Sequence, residues 1–124
     1  MSTYSRRTGS EWETRLASHL TQRKTFGGEV FRAPRWGAKD KGDLVNTGDF
    51  AFEAKATKTI DLSGFLGETE TERINAGRRW GVCVVKRRNH PVGRSYAVME
   101  LDSLLDLIEA LSLETRLGLR GGDE

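Results

Sequence analysis

The chemistry this sequence offers lies in a short apolar segment that carries charge. Phe50-Ala51-Phe52-Glu53-Ala54-Lys55 has the composition of a β-strand. Alternation puts Ala51, Glu53 and Lys55 on one face and Phe50, Phe52 and Ala54 on the other. Asp43 precedes this segment across Asn46-Thr47-Gly48, which has the make-up of a three-residue hairpin loop with glycine in the left-handed position. If Val45 stands opposite Asp49, Asp43 falls opposite Ala51, on the Glu53 face and diagonal to Glu53. A slip of one residue would send it to the other face. Two carboxylates held this close repel unless a cation lies between them, and oxygen donors of that kind suit Mg²⁺ or Mn²⁺. Such a site fits phosphodiester hydrolysis: the ion polarises a phosphate oxygen and acidifies a water, while Lys55 orients that water or stabilises the developing charge.

Several elements must position these groups. Ser10 reads as the N-cap of a helix running to about Arg23. Trp12, Leu16 and Leu20 form its apolar stripe; at 100° per residue Glu13 lies about 60° from the stripe's centre and Glu11 about 140° away. Glu13 therefore borders the core, and it supplies a further ligand if this helix packs over the Glu53 face. The alternatives are a structural ion pair of Glu13 with Arg32 or Lys55, and Glu11 as the acid in its place; helical phase favours Glu13. Residues 29–33 read as a short strand before Pro34, and 35–42 as a polar loop. A helix is expected from about Glu68, with a thin apolar face and its end at Gly77 or Gly81. Residues 80–86 and 95–101 read as two further strands, the first apolar enough to be central, joined by a basic turn containing Pro91 and Gly93. A final helix capped by Asp102 or Ser103 is expected to turn Leu104, Leu107, Ile108 and Leu111 to the core. Asp49 reads as a turn residue, Asp61 as loop, and His19 and His90 as incidental.

The 124 residues suit one domain, 1–124, with a core over about 8–112 and loose ends at 1–7 and 114–124; no repeat or internal boundary is evident. Twenty Lys and Arg against 18 Asp and Glu leave a net charge of +2, so composition alone announces no polyanion partner. The distribution says more. Arg35, Lys39 and Lys41, with Trp36 among them, precede Asp43, and Lys86, Arg87, Arg88 and Arg94 surround the later turn. Charge runs are commonly solvated faces, but two flanking a phosphodiesterase-like site predict sequence-independent contact with a nucleic-acid backbone. The lone Cys83 sits in an apolar run and makes no internal disulfide, so a reducing cytoplasm fits. No segment has the length of a membrane span or the apolar core of a signal peptide.

Together these residues resemble a known family. Gly42-Asp43 followed by Glu53-Ala54-Lys55, on a hairpin preceded by a helix bearing Glu13, resembles the PD-(D/E)XK nuclease superfamily. Gly9-Ser10-Glu11-Trp12-Glu13-Thr14-Arg15-Leu16 is similar to the Gly-Ser-x-x-Glu-x-x-Leu opening of the small Holliday-junction resolvases. The order of later parts agrees: a helix, the strand Val82-Cys83-Val84-Val85-Lys86, the strand Tyr96-Ala97-Val98-Met99 and a terminal helix. The resemblance covers about residues 8 to 112. It implies an α/β, restriction-endonuclease-like fold with a mixed, mainly antiparallel central sheet flanked by helices. It also implies metal ligation by Asp43, Glu53 and the carbonyl of Ala54, a catalytic Lys55, and Glu13 completing the acidic site. The implied partners are a second copy of the chain and branched DNA, with no organic cofactor. Two departures stand out: Gly42 occupies the place of the motif's proline, and no glutamine follows Lys55 in the next helix, where Glu70 or Glu72 stands instead.

Overall fold

A computed structural model describes residues 3–34 and 42–118. The elements run α1 (Thr3–Arg23), β1 (Phe31–Arg32), β2 (Leu44–Val45), β3 (Phe50–Lys55), α2 (Leu62–Ala76), β4 (Trp80–Val85), a 3-10 turn (Val92–Arg94), β5 (Tyr96–Val98) and α3 (Leu101–Arg116). Among the described residues the fold is mixed α/β with two small sheets: β1 and β2 pair antiparallel, while β3-β4-β5 form a sheet that is parallel at β3/β4 and antiparallel at β4/β5.

β4 holds the centre because it is apolar on both faces, and every one of its residues is buried. On one face Val84 packs with Trp12, Leu16, Ala17 and Leu20 of α1, joined by Phe52 and Ala54 of β3. The apolar phase of α1 thus lands where its spacing predicted, and each large side chain buried there contributes about 1.5–3 kcal/mol. The Trp12 indole adds a hydrogen bond to the Val84 carbonyl at 3.3 Å. On the opposite face Cys83 and Val85 pack with Phe65 of α2. Helix α2 starts where the Asp61 carboxylate accepts the Gly64 N–H at 3.0 Å, and it stops at Gly77, whose φ of +67° closes the helix in the left-handed region.

Several expectations need correction. α1 begins at Thr3, so 3–7 are helical and Ser10 lies inside the helix, where its hydroxyl accepts from Arg32 Nη2 at 3.2 Å. The β2–β3 hairpin does not form: β2 pairs with β1, Phe31 opposite Val45 and Arg32 opposite Leu44. Asn46 takes φ +73°, and the buried Thr47 hydroxyl donates to the Phe50 carbonyl at 2.6 Å, a tight turn in place of a hairpin loop. α1 packs on the Phe52 and Ala54 face of β3 and not over Glu53. α2 starts at Leu62, with Asp61 as its cap and not a loop residue; its buried positions are Phe65, Thr69 and Glu72, which is why its apolar face looked thin. α3 is preceded by Glu100 with no side-chain cap and runs to Arg116, beyond the expected core. None of its residues is buried: Leu104, Ile108 and Leu111 are exposed and Leu107 is half-buried. Among the described residues no helix is long and apolar enough to cross a membrane.

Candidate active site

The site is built on the outer edge of β3. Lys55 offers its carbonyl to the Lys86 N–H on the β4 side, at 2.9 Å, so by alternation Phe52 and Ala54 direct their backbone groups to the outer edge. Asp43 takes up two of these. Its N–H donates to the Phe52 carbonyl at 2.8 Å, and its Oδ2 accepts the Ala54 N–H at 2.8 Å. Asp43 therefore reaches Glu53 without the predicted register, opposite Phe52 and not Ala51, because its side chain caps the strand edge. Gly42 makes the approach possible. Its φ is +101° and a Cβ there would stand 3.2 Å from the Phe52 carbonyl, a conformation closed to proline, whose φ is fixed near −65°. A glycine at position 42 is thus what this path requires.

On the α2 face of β3, Glu53 and Lys55 are neighbours as alternation predicted. Lys55 Nζ lies 3.0 Å from Glu53 Oε2, and it also meets both oxygens of Glu68, at 3.0 and 3.1 Å. The Phe65 ring lies 5.3 Å from the ammonium. Burial lowers the Lys55 pKa, but the hydrogen bond and charge of Glu53, followed by those of Glu68, outweigh it and hold the ammonium charged.

Burial, then the charge of Glu53, pushes the Asp43 carboxyl up to about 8, against the Ala54 N–H, which favours the ionised form; the Glu13 charge raises it further. Glu53 is 5% exposed, and its Oε1 is buried with no hydrogen-bond partner among the described residues. A buried carboxylate oxygen beside a second, half-buried carboxyl is costly unless a proton or a cation is shared between them. The Ala54 carbonyl leaves the strand on the same edge as Asp43. Two carboxylates and a carbonyl form an all-oxygen donor set that fits a small divalent cation, Mg²⁺ or Mn²⁺. Among the described residues no three His, Cys, Asp or Glu side chains converge closely enough to hold a metal by themselves.

Glu13 stands at the margin of this arrangement. It is half-buried, as its helical phase predicted, and Glu11 is exposed. The Glu13 carboxylate accepts from Arg32 Nε at 3.0 Å, the ion pair weighed from the sequence, while its charge still reaches Asp43. The basic turn starts where β4 ends, beside Lys55. Lys86 is the first residue past β4, the Arg87 guanidinium stacks 4.9 Å over Tyr96 and donates to the Arg94 carbonyl at 3.2 Å, and Arg88 and Arg94 are exposed. Arg35, Lys39 and Lys41 lie outside the described residues.

Asp49 is a turn residue whose carbonyl receives the N–H groups of Arg79 and Trp80. Cys83 is fully buried, and burial pushes its thiol up to about 11, which suits a core residue. A cleft of about 530 Å³ opens between α3 and the start of β4, lined by Arg79, Trp80, Asp106, Glu109 and Arg116 among others, and shares no residue with the carboxylates. Sequence reasoning missed Glu68. Its signal was the three-residue step from Phe65, which puts both on one helix face once Asp61 is taken as the cap. Comparison with family models, curated proteins and solved structures returns no match to this chain.

Proposed function

We propose that this chain is an Mg²⁺-dependent, structure-selective DNA endonuclease of the PD-(D/E)XK type, with a restriction-endonuclease-like version of the mixed α/β fold, and that it resolves four-way junctions by paired nicks. The observation that carries the reading is the half-buried Asp43 beside the buried Glu53, whose Oε1 has no hydrogen-bond partner among the described residues, next to an ammonium held on the same strand. Asp43, Glu53 and the Ala54 carbonyl would hold the ion, with Glu13 contributing from the margin. When bound, a divalent cation neutralises charge on the scissile phosphate and acidifies a water.

The chain's own groups do the rest. Asp43 and Glu53 fix the site against the strand edge. Lys55, held protonated, places positive charge where the phosphate becomes more negative. Phe65, Cys83 and Val85 close the site from behind and keep its dielectric low, which strengthens each of these interactions. The site lies at the carboxyl ends of the parallel pair β3 and β4, where open α/β sheets commonly bind ligands. Lys86, Arg87, Arg88 and Arg94 rise from the same end and are suited to phosphate contacts, with Arg35, Lys39 and Lys41 proposed for the other flank. Branched DNA as substrate and action as a homodimer come from the resolvase resemblance; the exposed Leu104, Ile108 and Leu111 of α3 offer apolar surface for a second copy. The buried free thiol fits a reducing cytoplasm.

The test is cleavage of labelled four-way junctions, linear duplex, flaps and single strands in Mg²⁺ or in EDTA. Symmetric nicks confined to junctions in Mg²⁺ are the expected result. Cutting confined to flaps or nicked duplex would retain the chemistry and change the substrate, equal cutting of linear duplex would remove junction resolution, and no cutting of any substrate would remove the nuclease.

A further inference from the structure

The grip on Lys55 comes from two elements. An ammonium has three donors, and the contacts of Nζ match that number: Glu53 Oε2 on its own strand, and Glu68 Oε1 and Oε2 from the second turn of α2. One turn earlier on α2, the buried Phe65 ring faces the same ammonium. The Glu68 side chain is 55% exposed, so it contributes little to the core, and water screens its share of the ion pair with the less exposed Lys55. An exposed anion beside a phosphate-cutting site also repels the substrate backbone. Substrate affinity does not account for this residue, and core packing does not either.

We propose that Glu68 is a positioning residue: from α2 it holds the Lys55 ammonium beside Glu53 and keeps it there when the Glu53 carboxylate turns to a cation. The proposal rests on the nuclease reading for its catalytic consequence and on geometry alone for the placement of Lys55. Glu53 has two charged claimants, the ammonium and the cation, which repel each other. A lysine held only by Glu53 would leave when the cation arrives, because its four-carbon stem is flexible. Glu68, outside the cation's donor set, supplies the second anchor, and the Phe65 ring limits the directions in which the stem can swing.

The full-length protein is assayed as wild type, Glu68→Ala, Glu68→Gln and Lys55→Ala. Glu68→Ala is expected to lower kcat on the order of tenfold or more while the KM for DNA stays level or falls, since misplacing a catalytic group slows the reaction and removing an anion favours the backbone. Glu68→Gln, which keeps one acceptor, is expected to lie between. A purely structural role would not separate kcat from KM in this direction. The second readout needs no activity: with ¹³Cε-labelled lysine and Mg²⁺ present, the Lys55 Cε–H signal, displaced by the Phe65 ring current, is expected to move to the position of an exposed lysine in Glu68→Ala. An unchanged Lys55 signal in Glu68→Ala overturns the proposal. Unchanged kcat in Glu68→Ala, beside an inactive Lys55→Ala, overturns it too and leaves the nuclease reading intact. A wild type that cuts no DNA removes the nuclease reading, and the Lys55 signal then still decides whether Glu68 positions the lysine.

Discussion

The acidic edge of β3 and the basic turn after β4 begin within one hydrogen bond of each other, yet they use charge in opposite ways. At the edge, Glu53 is buried and Asp43 half-buried beside it, and one Glu53 oxygen has no hydrogen-bond partner among the described residues. In the turn, Arg88 and Arg94 stand in solvent, and Arg87 is tied to a ring and a carbonyl at the surface. Water screens the turn and not the edge, so a single charge counts heavily in one place and lightly in the other. Chemistry belongs where each charge counts, and adhesion to a polyanion belongs where many weak contacts add.

That contrast can be broken at either end. The largest effect is expected from Glu53→Gln, or from Lys55→Ala: loss of Mg²⁺-dependent cleavage on the order of a thousandfold, with DNA binding largely kept. Next is stability. In the metal-free fold the Asp43 carboxyl keeps its proton up to about pH 8, against 3.8 for an ordinary aspartate. Between those values the folded state binds the extra proton, so stability falls as pH rises through the window and levels off above it. Thermal melts of Asp43→Asn should flatten that slope and melt higher than wild type at pH 8, whereas Mg²⁺ should raise the wild-type Tm alone.

Smaller still is Glu13→Gln, on the order of tenfold in cleavage or less, because Arg32 already holds this carboxylate and only its field reaches Asp43. Full activity in Glu13→Gln with loss in Glu11→Gln would move the outlying acid to the other residue. The smallest single effects belong to the turn. Arg88→Ala and Arg94→Ala should each weaken DNA binding a few-fold at about 0.1 M salt and lower the slope of log K against log salt by about one. A turn substitution that abolishes cleavage without weakening binding would erase the distinction between the two regions.

Much of this was legible in the residues themselves. Alternation along Phe50–Lys55 put Glu53 beside Lys55, and the fourfold step of Trp12, Leu16 and Leu20 gave the buried face of α1. The path of Asp43 was not legible as drawn: the sequence shows a loop able to turn, but not that Asn46 and Thr47 turn it tightly enough to hand β2 to β1. Asp43 still arrives, because an aspartate can substitute its own carboxylate for a strand partner. α2 hid its phase by burying Thr69 and Glu72, and with it Glu68. The leucines of α3 show an apolar stripe, but periodicity cannot say what covers it, and none of the described residues buries it.

Everything proposed for catalysis depends on the Asp43–Glu53 edge being a cation site, and titration with Mn²⁺, read by electron paramagnetic resonance at pH 8, addresses that without any assumed substrate. A saturable site in the wild type that is competed by Mg²⁺ and lost in Asp43→Asn is the expected result. No binding in the wild type, or equal binding in Asp43→Asn, would contradict it.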